Sequence, residues 1–155
     1  LRHSLIPSLM VSRRENERRG SFGANLFEIA AVYLSADKSL PREQAEPLMI
    51  GLVSGRSFAE MKGVVEQLAA RVNSSAKVTC EPSSLPQFIP GRGAEVKING
   101  IKWGWLGELD RSVTSQLDLR DAVSMAELDL SVLESQAQLV PRFHALPQYQ
   151  GSSRD

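Results

Sequence analysis

The sequence predicts an α+β domain with a mainly antiparallel sheet flanked by helices. Three observations carry that expectation: short apolar runs with the length of strands, one strongly capped amphipathic helix, and an Asn-Gly corner between two alternating segments. The 155 residues suit a single domain large enough to bury a core without staples. Eighteen basic and eighteen acidic side chains cancel, which argues against a domain whose main task is gripping a phosphate backbone. The lone cysteine, Cys80, has no internal partner for a disulfide, which points to a reducing, cytoplasmic setting. No apolar run approaches the roughly 20 residues that span a bilayer, and the amino end lacks the order of a signal peptide.

The elements follow in order. Pro7 suits the first turn of a helix running to about Arg19, where its missing N–H costs nothing. The charge run Arg13-Arg14-Glu15-Asn16-Glu17-Arg18-Arg19 reads as a solvated face, with RNA contact as the less favoured alternative. Leu26 to Leu34 is apolar on both alternating faces apart from Glu28 and reads as a central strand. Residues 35–47, with two prolines and five charges, read as a surface connection. Leu48-Met49-Ile50-Gly51-Leu52-Val53 reads as a second central strand.

Ser57-Phe58-Ala59-Glu60 has the spacing of a capping box, in which hydroxyl and carboxylate each satisfy a free backbone N–H. Phe58, Met61, Val64, Val65, Leu68 and Val72 then form an apolar stripe that predicts a helix packed on the sheet. Lys77 to Glu81 alternates as a half-buried strand, and Pro82 to Pro90 is broken by prolines. Asn99-Gly100 predicts a type I′ hairpin that sets Ile98 opposite Ile101, Val96 opposite Trp103 and Ala94 opposite Trp105. Asp110 is placed to cap a short helix ending near Leu117, and Ala122 to Leu130 reads as a last strand. Residues 1–140 are expected to form the domain, and 141–155 a linker.

No residues assemble into a recognisable active site. His3 and His144 lie at opposite ends of the chain. Cys80 reads as a small strand side chain, Ser57 is already used as a cap, and Ser4 and Ser54 lack the context of a nucleophile. Gly91-Arg92-Gly93 lacks the spacing of a phosphate loop and reads as a tight turn. Trp103, Trp105 and Phe88 read as core in preference to a stacking platform, and Glu28 calls for a hydrogen bond or an edge position. No catalytic, cofactor-binding or metal-binding residue is assigned.

A collinear series of motifs carries a family resemblance. Leu1-Arg2-His3-Ser4-Leu5-Ile6-Pro7, Leu26-Phe27-Glu28-Ile29, Phe58 through Glu66, Phe88 through Glu95, Gly104 through Leu109 and Ala126 through Leu130 resemble successive segments of bacterial phenylalanine–tRNA ligase beta subunits. Residues 147–155 are similar to the link into that family's anticodon-binding domain. The departures are His3 for a more usual Thr, Ala30-Ala31 for Gly and a basic residue, and Asp110-Arg111 for His-Pro. The resemblance implies the catalytic-like core of the beta subunit, shaped like a class II aminoacyl-tRNA synthetase core and excised from a longer chain. It implies an alpha subunit as partner in a two-alpha, two-beta assembly, with ATP, magnesium and tRNA handled by the whole ligase. The class II Arg-x-Glu of motif two and the Gly-rich, Arg-bearing motif three are not found, so the domain alone is expected to be inactive. The alternative is a free-standing RNA- or protein-binding module using Arg13, Arg14, Arg18 and Arg19.

Overall fold

The computed structural model describes residues 2–35 and 41–140. Six strands form one sheet in the order β1-β2-β6-β5-β4-β3, with every neighbouring pair antiparallel. They are β1 (Leu26–Ala31), β2 (Leu48–Ser54), β3 (Val78–Pro82), β4 (Phe88–Ile98), β5 (Ile101–Leu109) and β6 (Ser124–Asp129). Helix α1 (Ile6–Arg18) covers one face, where Leu5, Leu9 and Met10 join Val53, Phe88, Leu109 and Met125. Helices α3 (Phe58–Val72) and α5 (Leu130–Ser135) cover the other, with Met61, Val65 and Ala69 packed among Ile50, Val96, Trp103, Leu106 and Leu128. The short helices α2 (Arg42–Ala45) and α4 (Arg111–Gln116) sit in connections.

Local signals hold where they are self-contained. The Ser57 hydroxyl accepts from the Glu60 N–H while the Glu60 carboxylate accepts from the Ser57 N–H, so α3 starts where the capping box places it. Those bonds hold the exposed Glu60 carboxyl below its ordinary value. Asp110 caps α4. Asn99 and Gly100, with φ of 50° and 82°, make the expected corner, and residues 141–155, including His144, lie outside the described residues.

Several expectations are corrected. Among the described residues β1 is an edge strand, because its only neighbour there is β2 and its apolar side chains Phe27 and Ile29 face outward. Continuous apolarity therefore marks here a face left uncovered, not burial on both sides. The hairpin register departs after Lys97↔Lys102: Val96 pairs with Gly104, Glu95 with Trp105 and Ala94 with Leu106. One extra residue on β5, Trp103, turns the alternation over, so Trp103 packs on the α3 side and Trp105 on the α1 side. Both still serve the core: Trp103 Nε1 donates to the Asp129 carbonyl at 3.1 Å, and Trp105 packs against Phe88 with ring centroids 5.7 Å apart.

Gly91-Arg92-Gly93 is an outward excursion inside β4, not a turn between elements. Five steps on β4, from Phe88 to Gly93, face only two on β5, from Leu109 to Gly107. Pro90 belongs in such a bulge because it has no ladder N–H to give. The Phe88 ring folds over Gly93 and Gly107, where an added Cβ would meet ring atoms at 2.6 and 2.4 Å. On α3, Val64 is exposed and Ala69 takes a buried place that the apolar stripe did not include. The last strand stops at Asp129, whose carboxylate accepts the Ser131 and Val132 N–H groups and opens the unanticipated α5.

The charge run on α1 is not wholly solvated. Arg13 is fully buried and its Nε donates to Glu17 Oε1 at 3.2 Å, one turn along. Arg13 also reaches the Ala24 carbonyl, and Glu17 Oε2 accepts the Arg120 N–H at 3.1 Å, so the pair fastens α1 to two loops.

Helix α1 is held at its other end by the sheet. Leu5, at the N-cap, has no side-chain cap of its own. Glu127, buried in the middle of β6, accepts the Leu5 N–H at 2.7 Å and the Ser4 hydroxyl at 2.9 Å. Gly51 lets the helix descend, since a Cβ there would meet Leu9 Cδ1 at 2.8 Å and Leu5 Cβ at 2.9 Å. Replacing Glu127 by Ala strands a buried N–H and removes two charge-assisted bonds, so urea denaturation should show a loss of about 2–4 kcal/mol. Gln, which keeps an acceptor, should lose less than Ala. Acid should weaken the start of α3: a depressed carboxyl adds stability above its unfolded value and loses it as pH falls through the folded one. Glu60→Gln should therefore lessen the acid loss of amide protection over residues 58–61.

Candidate interaction surface

The side chains flagged for chemistry remain scattered. His3 is exposed, Ser57 is occupied as a cap, and Cys80 is half-buried on edge strand β3, where burial raises its thiol pKa and so disfavours the reactive thiolate. Ser54 donates to the Asn25 side chain, and Ser4 to Glu127. Glu28 satisfies both halves of its expectation, lying on an edge strand and accepting from Arg2 Nη1 at 2.7 Å. Among the described residues no three His, Cys, Asp or Glu side chains converge as a metal site requires.

Two buried carboxylates escaped the reading of the sequence, Glu127 and Glu108. Glu127 carries a signal close to that of Glu28, an acid flanked by the apolar residues Ala126 and Leu128 within a strand, and that criterion finds it. Glu108 accepts from Arg92 Nη1 at 2.8 Å, which ties the β4 excursion to β5. Both have a structural partner, the Leu5 N–H and Ser4 hydroxyl for Glu127 and the Arg92 guanidinium for Glu108.

The four arginines proposed to bind RNA do not form a free basic patch. Arg13 is buried with Glu17, while Arg14 lies 3.9 Å from Glu15, and Arg18 pairs with Glu15 and Asp118. Only Arg19 of the four makes no ion pair among the described residues. This arrangement offers little counterion release to a nucleic acid.

What the molecule does expose is apolar. On the α3 side of the sheet, Phe27 (72% exposed), Ile29 (51%) and Leu48 (50%) lie toward the β1 edge, and Val64 (39%) faces them from α3. The pairs Phe27↔Leu52 and Ile29↔Ile50 put β1 and β2 side chains in one strip. A cavity of about 240 Å³ lies at one end, lined by Phe27, Leu52, Met61 and Val64, with Asn25 and Arg56 also contributing. At the other end Ala31 and Leu48 face α5 across a second cavity, of about 340 Å³. Helices α3 and α5 stop short of this strip, which leaves a feature that in other proteins marks an interaction surface. No helix among the described residues is long and apolar enough to cross a membrane.

A family model described as the phenylalanyl tRNA synthetase beta chain CLM domain matches residues 1–130. The chain is 36% identical to the phenylalanine–tRNA ligase beta subunit of Rhodopirellula baltica, in an alignment covering all of the chain and 24% of that protein. It is 30% identical to the beta subunit of Clostridium tetani and 29% identical to that of Bacillus subtilis, again over the whole chain but only 20% and 21% of those proteins. The chain thus spans about a fifth to a quarter of these relatives. Its fold is shared with the crystal structure of pyrrolysyl-tRNA synthetase from Desulfitobacterium hafniense, at a TM-score of 0.62 and 19% identity over 86% of this chain and 48% of that one. A second structure of a pyrrolysyl tRNA synthetase from the same organism gives 0.63 and 20%, over 89% and 52%. These likenesses place the sheet and its helices in the class II architecture.

Phe27 is exposed enough that Phe27→Ser should change the unfolding free energy of the domain, measured by urea denaturation, by no more than about 0.5 kcal/mol. The same substitution should reduce binding of an apolar fluorescent dye. Unaltered dye binding would show that the strip is not the molecule's accessible apolar surface.

Proposed function

The chain belongs to the family of phenylalanyl tRNA synthetase beta chain CLM domains, and on that premise we propose that it is a non-catalytic structural domain of a phenylalanine–tRNA ligase. In this reading it supports ATP-dependent attachment of phenylalanine to tRNA by packing against the alpha subunit in a two-alpha, two-beta assembly. ATP, magnesium and tRNA are bound by the whole cytoplasmic ligase, and residues 141–155 form the link toward a following domain. The observation that carries the reading is how the α1 side of the sheet is used. Leu5 and Leu9 press onto Gly51, Phe88 and Trp105 pack against each other at a tilt on the same face, and Glu127 closes the end of the helix. That face is filled by the protein's own side chains.

Catalysis by such a face requires preorganised donors aimed at a reacting atom, within reach of an acid, a base or a metal. Here the polar groups near the face are spent on each other: Arg2 on Glu28, Ser4 and the Leu5 N–H on Glu127. The free-standing RNA-binding alternative is disfavoured by the buried and paired arginines of α1.

The scaffold reading separates assembly from chemistry. Glu127→Ala in the complete beta subunit should lower the yield of alpha–beta assembly several-fold, as a loss of a few kcal/mol in domain stability does to abundance. The assembly that does form should keep its phenylalanylation rate per complex within about twofold of the parent. Size-exclusion yield and single-turnover charging of tRNA measure the two quantities. A normal yield with a charging rate down more than about tenfold would place Glu127 in the chemistry and overturn the reading.

A further inference from the structure

The two edges of the sheet are treated differently. Edge strands are usually blunted against unwanted pairing by charge, proline or a bulge. At the β3 edge, Glu81 and Pro82 do this, with Glu81 also held by Lys97 at 2.7 Å. Strand β1, Leu26-Phe27-Glu28-Ile29-Ala30-Ala31, has no proline and no lysine, and its single charge is spent on Arg2. The β1 edge has the composition of a strand meant to be paired on both sides.

The backbone says the same. In an antiparallel pair alternate residues turn their N–H and C=O toward one neighbour. Val32 donates to the Pro47 carbonyl and Leu34 to Ala45, so the even-numbered residues face β2 and its approach. The odd-numbered residues face outward, and two of them are already engaged: the Tyr33 N–H donates to the Arg2 carbonyl at 2.8 Å, and Arg2 Nε donates to the Ala31 carbonyl at 3.3 Å. Phe27 and Ile29 continue that row, with outward backbone groups that have no partner among the described residues and with exposed apolar side chains.

We propose that β1 is an internal strand of the complete subunit, paired along its outer edge with an extended segment of the same polypeptide leading into Arg2. The chain already arrives at this edge, since Arg2 makes the first two bonds of the row. The added strand bonds the N–H and C=O of Phe27 and Ile29 and lays its own apolar side chains over theirs on the α3 side. The inference rests on the domain being part of a longer subunit, since the chain spans only 24% and 20% of two of its relatives.

Hydrogen exchange with residue-level fragmentation on the assembled ligase gives the first test. The Phe27 and Ile29 amides should exchange within about threefold of Glu28 and Ala30, which bond to β2, whereas an open edge should exchange at least about a hundredfold faster. Benzoylphenylalanine placed at position 27 of the complete beta subunit identifies the source of the strand by photo-crosslinking. An adduct within the polypeptide upstream of Arg2 is the expected result. Fast exchange at Phe27 and Ile29, or an adduct to the alpha subunit or to a second beta subunit, overturns the proposal. Neither readout depends on charging activity, so failure here is separable from failure of the scaffold reading.

Discussion

Everything on the α1 side of the sheet depends on the bond between the Glu127 carboxylate and the amino end of α1. A carboxylate within the interior of a sheet is costly unless its lone pairs are taken up. Here the Leu5 N–H, the Ser4 hydroxyl and the positive end of the helix dipole take them up together. The interaction fixes where α1 begins, and Gly51 fixes how closely it lies. At the far end of the helix the buried Arg13–Glu17 pair joins the loops around Ala24 and Arg120. The helix is thus pinned at both ends by polar bonds and along its middle by Leu9 and Met10.

The hairpin shows a second constraint, set by glycines. Gly104 admits no side chain at all, since a Cβ would come within 2.1 Å of the Glu127 carbonyl. That close passage accompanies the extra residue at Trp103, which sends the two tryptophans to opposite faces. Each face gains one large aromatic, and the Phe88 ring fills the space above Gly93 and Gly107. Aromatic residues that could have formed a base-stacking platform are divided between two cores instead.

Signals confined to a few residues were legible. Ser57 with Glu60, Asp110 with Ser112, and Asn99 with Gly100 each specify a local geometry that tertiary packing leaves alone. Features set by distant partners were not. The run 26–34 carries the apolar pattern of a central strand, yet whether a neighbour lies beyond it depends on chain order and on the rest of the subunit. The bulge at Trp103 is invisible to alternation alone, because one added residue exchanges the faces beyond it. Arg13 and Glu17 stand at the spacing of a helical ion pair, but their burial comes from loops more than a hundred residues away in one case, at Arg120. The candidate surface was the least legible part, since exposure of Phe27 and Ile29 follows from where α3 ends on the sheet and not from any motif.

Glycine contacts, bulges and buried carboxylates together make a class II architecture in which the α1 face of the sheet is occupied by core. The most direct test is phenylalanine-dependent ATP–pyrophosphate exchange by the domain alone, beside a reconstituted alpha–beta ligase as positive control. The scaffold account predicts exchange at background from the domain and robust exchange from the ligase. Exchange well above background from the domain would contradict it, because it would require an adenylating site within these residues.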